Sequence, residues 1–101
     1  MAGAREGLGF SYGEREEFQR SFERAAARLP GMFRSFWHRW EETSGIPPEF
    51  IVHAEDGTQV LRVTRLNSGG YRAAGVTGQG SVIYAVAARS ITDAFKAAGL
   101  L

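Results

Sequence analysis

The sequence predicts an α+β domain in which helices cover one face of an antiparallel sheet. Apolar residues before Pro48 recur at helical spacing, whereas those after it alternate or form the short runs typical of strands. Glycine-rich turns separate these runs at short intervals, which indicates hairpins. A length of 101 residues fits one domain of this class.

The first predicted element is a helix that follows a loose N-terminal segment. Residues 1–10 hold three glycines and no regular pattern, so we expect a flexible tail there and a single domain over residues 11–101. Ser11 and Glu14 have the spacing of a capping box, which marks a helix start. The helix should run to about residue 29, since its apolar side chains share one face: Phe18, Phe22, Ala25 and Leu29.

A second helix is predicted over Pro30–Ser44. Proline is tolerated in the first turn of a helix, and Gly45 followed by two prolines would end it. Its large aromatic side chains favour burial against the sheet, because each buried aromatic contributes roughly 2–3 kcal/mol. This aromatic set comprises Phe33, Phe36, Trp37 and Trp40.

Four strands are predicted after Pro48. Three turns separate them, of which Asp56-Gly57 is a strong hairpin signal. Ser90 has the position of an N-cap, so a short final helix should follow it. The strands are expected at about residues 50–54, 60–66, 71–76 and 81–88.

The C-terminal region has two interpretations. Residues 81–98 contain neither Gly nor Pro and also fit one long helix. The preferred order, strand then helix, is ααββββα with a four-stranded sheet; the alternative order is ααβββα with three strands. The predicted core comprises Phe18, Phe22, Leu29, Phe33, Phe36, Trp37, Trp40, Val52, Leu61, Val63 and Phe95.

The alternative order resembles that of the double-stranded RNA-binding domain. The resemblance rests on Trp40, the segment 45–50, the turn at 56–57 and the segment 78–81. It implies an αβββα unit over about residues 32–98, and RNA binding. That family's last helix opens with a lysine cluster that contacts phosphates, whereas Val82 and Ile83 stand at those positions here. The resemblance therefore concerns the order of the elements.

Charge is distributed unevenly along the chain. Residues 1–56 hold seven Arg and ten Asp or Glu, a net charge of −3. Residues 57–101 hold five basic residues against Asp93 alone, a net charge of +4. The chain has no Cys, no HExxH pattern, no phosphate-binding loop and no nucleophile motif. We therefore predict no cofactor, no metal and no catalytic residue.

The basic residues of the predicted sheet form the candidate binding site. Arg62 and Thr64 share one strand face, and Arg72 of the next strand is expected to share it. Sheets bind single-stranded nucleic acid with such charges when aromatic rings are added, because the charges follow the backbone and the rings stack on bases. The candidate residues for nucleic-acid or anion binding are Arg62, Arg65, Arg72, Arg89 and Tyr71.

Two functions of different classes remain open. One is a small non-catalytic module that binds nucleic acid through these arginines. The other is a protein-interaction or self-assembly module, a homo-oligomer for example, which the opposite charges of the two halves and the open edges of a small sheet favour. The chain has no secretory signal pattern and no apolar run long enough to cross a bilayer. We therefore expect no membrane partner and a cytoplasmic location.

Overall fold

Two helices and one five-stranded sheet make up the part of the chain that the computed structural model describes, namely residues 9–28, 31, 37–76 and 82–101. The strands are all antiparallel and lie in chain order, β1-β2-β3-β4-β5. The predicted α+β class is therefore confirmed. In order, the elements are α1 (Tyr12–Arg28), β1 (Arg39–Thr43), β2 (Glu49–His53), β3 (Gln59–Arg65), β4 (Tyr71–Val76), β5 (Val82–Ala88) and α2 (Ile91–Ala97).

The prediction of a second helix over Pro30–Ser44 is wrong where β1 lies. Arg39–Thr43 pair with β2, so Trp40 lies opposite Val52. Alternation directs Trp40 and Glu42 toward α1. The indole Nε1 of Trp40 donates to Gln19 Oε1 at 2.7 Å. These contacts with distant residues decide the conformation, because a short aromatic segment fits a helix or a strand equally well.

The four strands predicted after Pro48 are confirmed as β2 to β5, and they bring the sheet to five strands with β1. The preferred strand-then-helix order at the C-terminus is also confirmed, so the ααβββα alternative is wrong. Ser90 caps α2, since its hydroxyl oxygen accepts from the Asp93 N–H at 3.0 Å. The observed order differs from that of the double-stranded RNA-binding domain.

Both helices lie on one face of the sheet, which we call the covered face. Phe18 of α1 packs against Phe50 of β2 and against Phe95 of α2, with ring centroids 4.3 and 5.4 Å apart. All three rings are fully buried. The core therefore joins the two helices to the middle of the sheet.

The predicted core agrees with the observed one over most of the described residues. Six of its members are buried: Phe18, Trp37, Val52, Leu61, Val63 and Phe95. Phe22 and Trp40 are partly buried against them. The remaining three predicted members, Leu29, Phe33 and Phe36, lie outside the described residues. Phe50 and Ile91 were not predicted, although both are fully buried.

Phe10, which the sequence places in the tail, belongs to the core. Its side chain is buried and stacks on Phe50 with ring centroids 3.8 Å apart. The guanidinium of Arg65 lies over the Phe10 ring, 5.4 Å from its centroid. One aromatic residue among glycines gives no periodic signal, which is why the pattern did not identify it. Residues 1–8 lie outside the described part of the chain.

The opposite side of the sheet, which we call the open face, carries neither of the two described helices. Strand alternation and pairing register define its members. Toward one edge it presents polar and charged side chains with the buried Ile51 among them, and toward the other it presents arginine, threonine and alanine. The members are Arg39, Glu41, Thr43, Glu49, Ile51, His53, Arg62, Thr64, Arg72, Ala74 and Ala87.

Candidate nucleic-acid interface

The five predicted site residues do not share one surface. Arg65 and Tyr71 lie on the covered face beside α1, whereas Arg62 and Arg72 lie on the open face. Arg89 follows the last residue of β5 and is exposed. The sheet therefore separates the predicted set into two partly buried residues beside α1 and three exposed residues.

Arg65 and Tyr71 both bind the carboxylate of Glu14 in the first turn of α1. Tyr71 donates its hydroxyl proton to Glu14 Oε2 at 2.6 Å, and an Arg65 terminal nitrogen donates to Glu14 Oε1 at 3.2 Å. The same Arg65 nitrogen donates to the carbonyl of Gly9 at 2.9 Å. The Ser11 N–H donates to Glu14 Oε1 at 2.7 Å. We call Ser11, Glu14, Arg65 and Tyr71 the Glu14 cluster; it attaches α1 to β3 and β4.

Within the Glu14 cluster, the Glu14 carboxyl and the Tyr71 hydroxyl are held in opposite protonation states at neutral pH. Partial burial is the largest influence on the pKa of Glu14 and raises it. The hydrogen bonds from Tyr71 and Ser11 and the charge of Arg65 outweigh burial and leave that pKa below the ordinary value of 4.5. Burial and the hydrogen bond to Glu14 raise the pKa of Tyr71. Glu14 therefore stays an ionised acceptor and Tyr71 a protonated donor.

The lowered pKa of Glu14 predicts a loss of stability in acid. A carboxyl whose pKa is lower in the folded state stabilises the fold above its unfolded pKa, and this contribution disappears as pH falls through the folded value. Urea unfolding between about pH 6 and pH 3 should show the loss, and Glu14→Gln should reduce this pH dependence. At pH 7 the variant should be about 1–2 kcal/mol less stable. Glu16→Gln, at an exposed position of α1, is the control; equal pH profiles for both variants would contradict the assignment.

Three of the predicted arginines lie along a diagonal that crosses the open face and ends just beyond β5. Arg62 of β3 lies opposite Ala74 of β4, two residues from Arg72. Arg72 in turn lies opposite Ala87 of β5, two residues from Arg89. Diagonal neighbours on adjacent strands are about 7–8 Å apart, so the line spans about 15 Å. We call Arg62, Arg72 and Arg89 the basic diagonal.

The arginines of the basic diagonal differ in how many hydrogen-bond or ion-pair partners their side chains have within the described protein. Arg62 has its Nε 3.6 Å from Glu49 Oε1 and donates to Gln59 Oε1 at 2.7 Å. The side chains of Arg72 and Arg89 are exposed, and neither forms a hydrogen bond or an ion pair with a described residue. Two of the three guanidinium groups therefore remain available to an anion.

The carboxylates of the open face are confined to β1 and β2. Glu41 accepts a hydrogen bond from the His53 imidazole and lies 3.8 Å from an Arg39 nitrogen. Glu49 accepts the Thr64 hydroxyl at 2.9 Å. The charge asymmetry of the sequence thus reappears across the sheet, with carboxylates toward the β1 edge and the basic diagonal on β3 and β4 and just beyond β5. An anion would meet attraction on the second half of this face and repulsion on the first.

A shallow cavity lies at the end of the basic diagonal. Its volume is ≈ 380 Å³, and its lining includes Leu66, Ser68, Gly69, Gly70, Ala87 and Arg89. A Cβ at position 70 would lie 2.7 Å from the Ala88 carbonyl oxygen, so only glycine allows this close approach. The sequence identified residues 67–70 as a turn but gave no signal for a cavity, because Arg89 comes from a distant part of the chain.

Comparison with protein-family models, with curated proteins and with solved structures finds no match for this chain. Neither described helix is long and apolar enough to cross a membrane. Within the described ranges, no cluster of three acidic or histidine side chains could hold a metal ion. None of the open-face members named above is Phe, Tyr or Trp, since Tyr71 lies on the covered face. What the interface offers is therefore fixed positive charge beside a small cavity.

Proposed function

We propose that this protein is a small non-catalytic module that binds the phosphates of nucleic acid along the basic diagonal. The observation that carries the proposal is the alignment of three arginines on adjacent strands, two of them without a partner among the described residues. A guanidinium group offers a planar fork of donors that suits a phosphate. Binding several phosphates also releases condensed counterions, which drives association at low salt.

The proposal specifies a path for the ligand and a type of recognition. Glu41 and Glu49 would repel phosphates, so the backbone should follow β3 to β5 and avoid the β1 edge. Phosphate contacts position a nucleic acid but carry no sequence information. We therefore expect affinities that depend strongly on salt and weakly on base sequence.

The proposal predicts that Arg72→Ala combined with Arg89→Ala removes most of the binding. Fluorescence anisotropy with a labelled strand of about 12 nucleotides at about 50 mM salt would measure it. Three phosphate contacts give a slope of log affinity against log salt near −2 for a single strand, and the double variant should reduce it to about −0.7.

The matched control for this double variant is Arg20→Ala with Arg24→Ala. These two arginines are exposed on α1, away from the open face, so the control removes the same net charge from the chain. The control should keep the steep salt dependence. Equal losses in both double variants, or no binding by the wild-type protein at low salt, would contradict the proposal.

A second candidate is a protein-interaction or self-assembly module, and the edge strand β5 favours it. None of the described strands pairs with the outer edge of β5, and its segment Val82–Ala88 has no charged residue. The other edge strand, β1, carries Arg39, Glu41 and Glu42, and such charges protect an edge from pairing. A register shift between Ala73 and Gly75 interrupts the β4–β5 ladder, which shortens the regular edge. Light scattering at rising concentration tests this candidate, and a strict monomer would exclude self-assembly.

A further inference from the structure

We infer that the ligand of this interface is single-stranded nucleic acid, and that the cavity beside Arg89 receives one unstacked base. The inference rests on the proposed function and adds the form of nucleic acid that the surface accepts. It depends on the shape and the chemistry of the surface around the basic diagonal.

The shape of the open face favours a single strand over a duplex. Proteins read a duplex by inserting a helix or a two-stranded ribbon into a groove. Both described helices lie on the covered face, and the described strands form one continuous sheet. A sheet face without a protruding helix or ribbon reaches a duplex only at its outer phosphates. A single strand, in contrast, can turn its bases toward the protein while its phosphates contact the arginines.

The sheet surface beside the basic diagonal carries small side chains that leave room for bases. Ala74 and Ala87 are the open-face residues of β4 and β5 next to the arginines, and each has a single side-chain carbon. No bulky described side chain therefore separates Arg72 from Arg89 on this face. A planar group could lie against the sheet there and keep its phosphates within reach of both guanidinium groups.

The cavity has the chemistry of a site for one base. Leu66, Ala87 and Ala88 give it an apolar lining, and Ser68 and Arg89 supply polar groups. A base has an apolar ring face and a polar edge, and an arginine guanidinium can stack on the ring. The volume of ≈ 380 Å³ falls within the range of small-ligand sites. A base that is paired and stacked inside a duplex cannot enter it.

The test compares three ligands of equal length at one salt concentration: a single strand, its blunt duplex, and a strand with the same phosphates but no bases. The single strand should bind about tenfold more tightly than either of the others, as expected when bases contribute to binding. If the duplex or the abasic strand binds wild-type protein as tightly as the single strand does, and the Arg72 and Arg89 substitutions still weaken binding, the inference is overturned and the proposed function stands. If no form binds at low salt, both are overturned.

A variant that fills the cavity tests the position of the base. Ala87→Leu places a larger side chain at an exposed strand position that lines the cavity. It should remove the preference for the single strand over the duplex and over the abasic strand. Ala27→Leu, at an exposed position of α1, is the matched control and should alter neither preference. An unchanged single-strand preference in Ala87→Leu would overturn the placement of a base in this cavity.

Discussion

Phe18→Ala should cost about 3–5 kcal/mol, which is a large part of the roughly 5–15 kcal/mol by which a domain of this kind is stable. The Phe18 ring is fully buried between three others: Phe50 at 4.3 Å, Trp40 at 5.1 Å and Phe95 at 5.4 Å between centroids. These residues belong to β2, β1 and α2, so the substitution removes the contact that all four elements share. Urea titration followed by tryptophan fluorescence and circular dichroism would measure the loss.

The control for Phe18→Ala is Tyr12→Ala in the same helix. Tyr12 is 73% exposed, so truncating its ring should change stability by no more than about 0.5 kcal/mol. If Phe18→Ala unfolds within about 1 kcal/mol of the wild-type protein, helix α1 does not pack as described. Similar losses in both variants would instead indicate that α1 is sensitive to any truncation.

Features that depend on neighbouring residues could be predicted from the sequence. The capping box is confirmed, since the Glu14 N–H donates to Ser11 Oγ at 3.1 Å and the Ser11 N–H donates to the Glu14 carboxylate. Both interactions join residues three positions apart, so a pattern of four residues contains them. The hairpin at Asp56-Gly57 is equally local, and the Asp56 carboxylate accepts from the Thr58 N–H at 2.9 Å.

Features that depend on distant residues could not be predicted in the same way. Glu14 also accepts a hydrogen bond from Tyr71, which lies 57 positions away. No pattern in the sequence around either residue predicts this pair. The same limit explains the error at β1, because the segment 39–43 becomes a strand by pairing with residues 49–53. A helical spacing of aromatic residues carries no information about such a partner.

The candidate site contains both kinds of feature, those that depend on neighbouring residues and those that depend on distant ones. Strand alternation was enough to place Arg62 and Arg72 on one face, and their diagonal relation follows from the short turn between β3 and β4. The same alternation places Arg65, three residues beyond Arg62, on the other face. The position of Arg89 across the cavity from the turn at residues 67–70 depends on how β5 pairs with β4, which the sequence leaves open.

Gly75→Ala should be almost as damaging as Phe18→Ala, although it adds only one carbon. Gly75 has a φ of +154°, and a Cβ there would lie 2.1 Å from the Val60 carbonyl oxygen and 2.9 Å from the Leu61 Cα. Both are backbone atoms of β3, so the clash can be relieved only by separating β3 from β4. Strained backbone of this kind costs about 1–3 kcal/mol, and the lost strand contacts add to it. Thermal unfolding would measure the sum.

Gly13→Ala is the matched control for Gly75→Ala, and its effect should have the opposite sign. Gly13 lies in α1, and a Cβ there would meet no atom closer than 3.9 Å. Alanine restricts the unfolded chain and favours the helix, so this variant should gain about 0.5–1 kcal/mol. If Gly75→Ala proves neutral, β3 and β4 do not approach each other as described.

The position of Gly75 also connects stability with binding. Gly75 pairs with Leu61, the neighbour of Arg62, and the spacing of the basic diagonal requires β3 and β4 to stay in register. Below its lower melting temperature, Gly75→Ala should therefore bind single strands less tightly than the wild-type protein and with a shallower salt dependence, since Arg62 no longer aligns with Arg72. Anisotropy at a temperature where circular dichroism shows the variant folded separates this effect from unfolding. Wild-type affinity under those conditions would mean that Arg72 and Arg89 hold the ligand without Arg62.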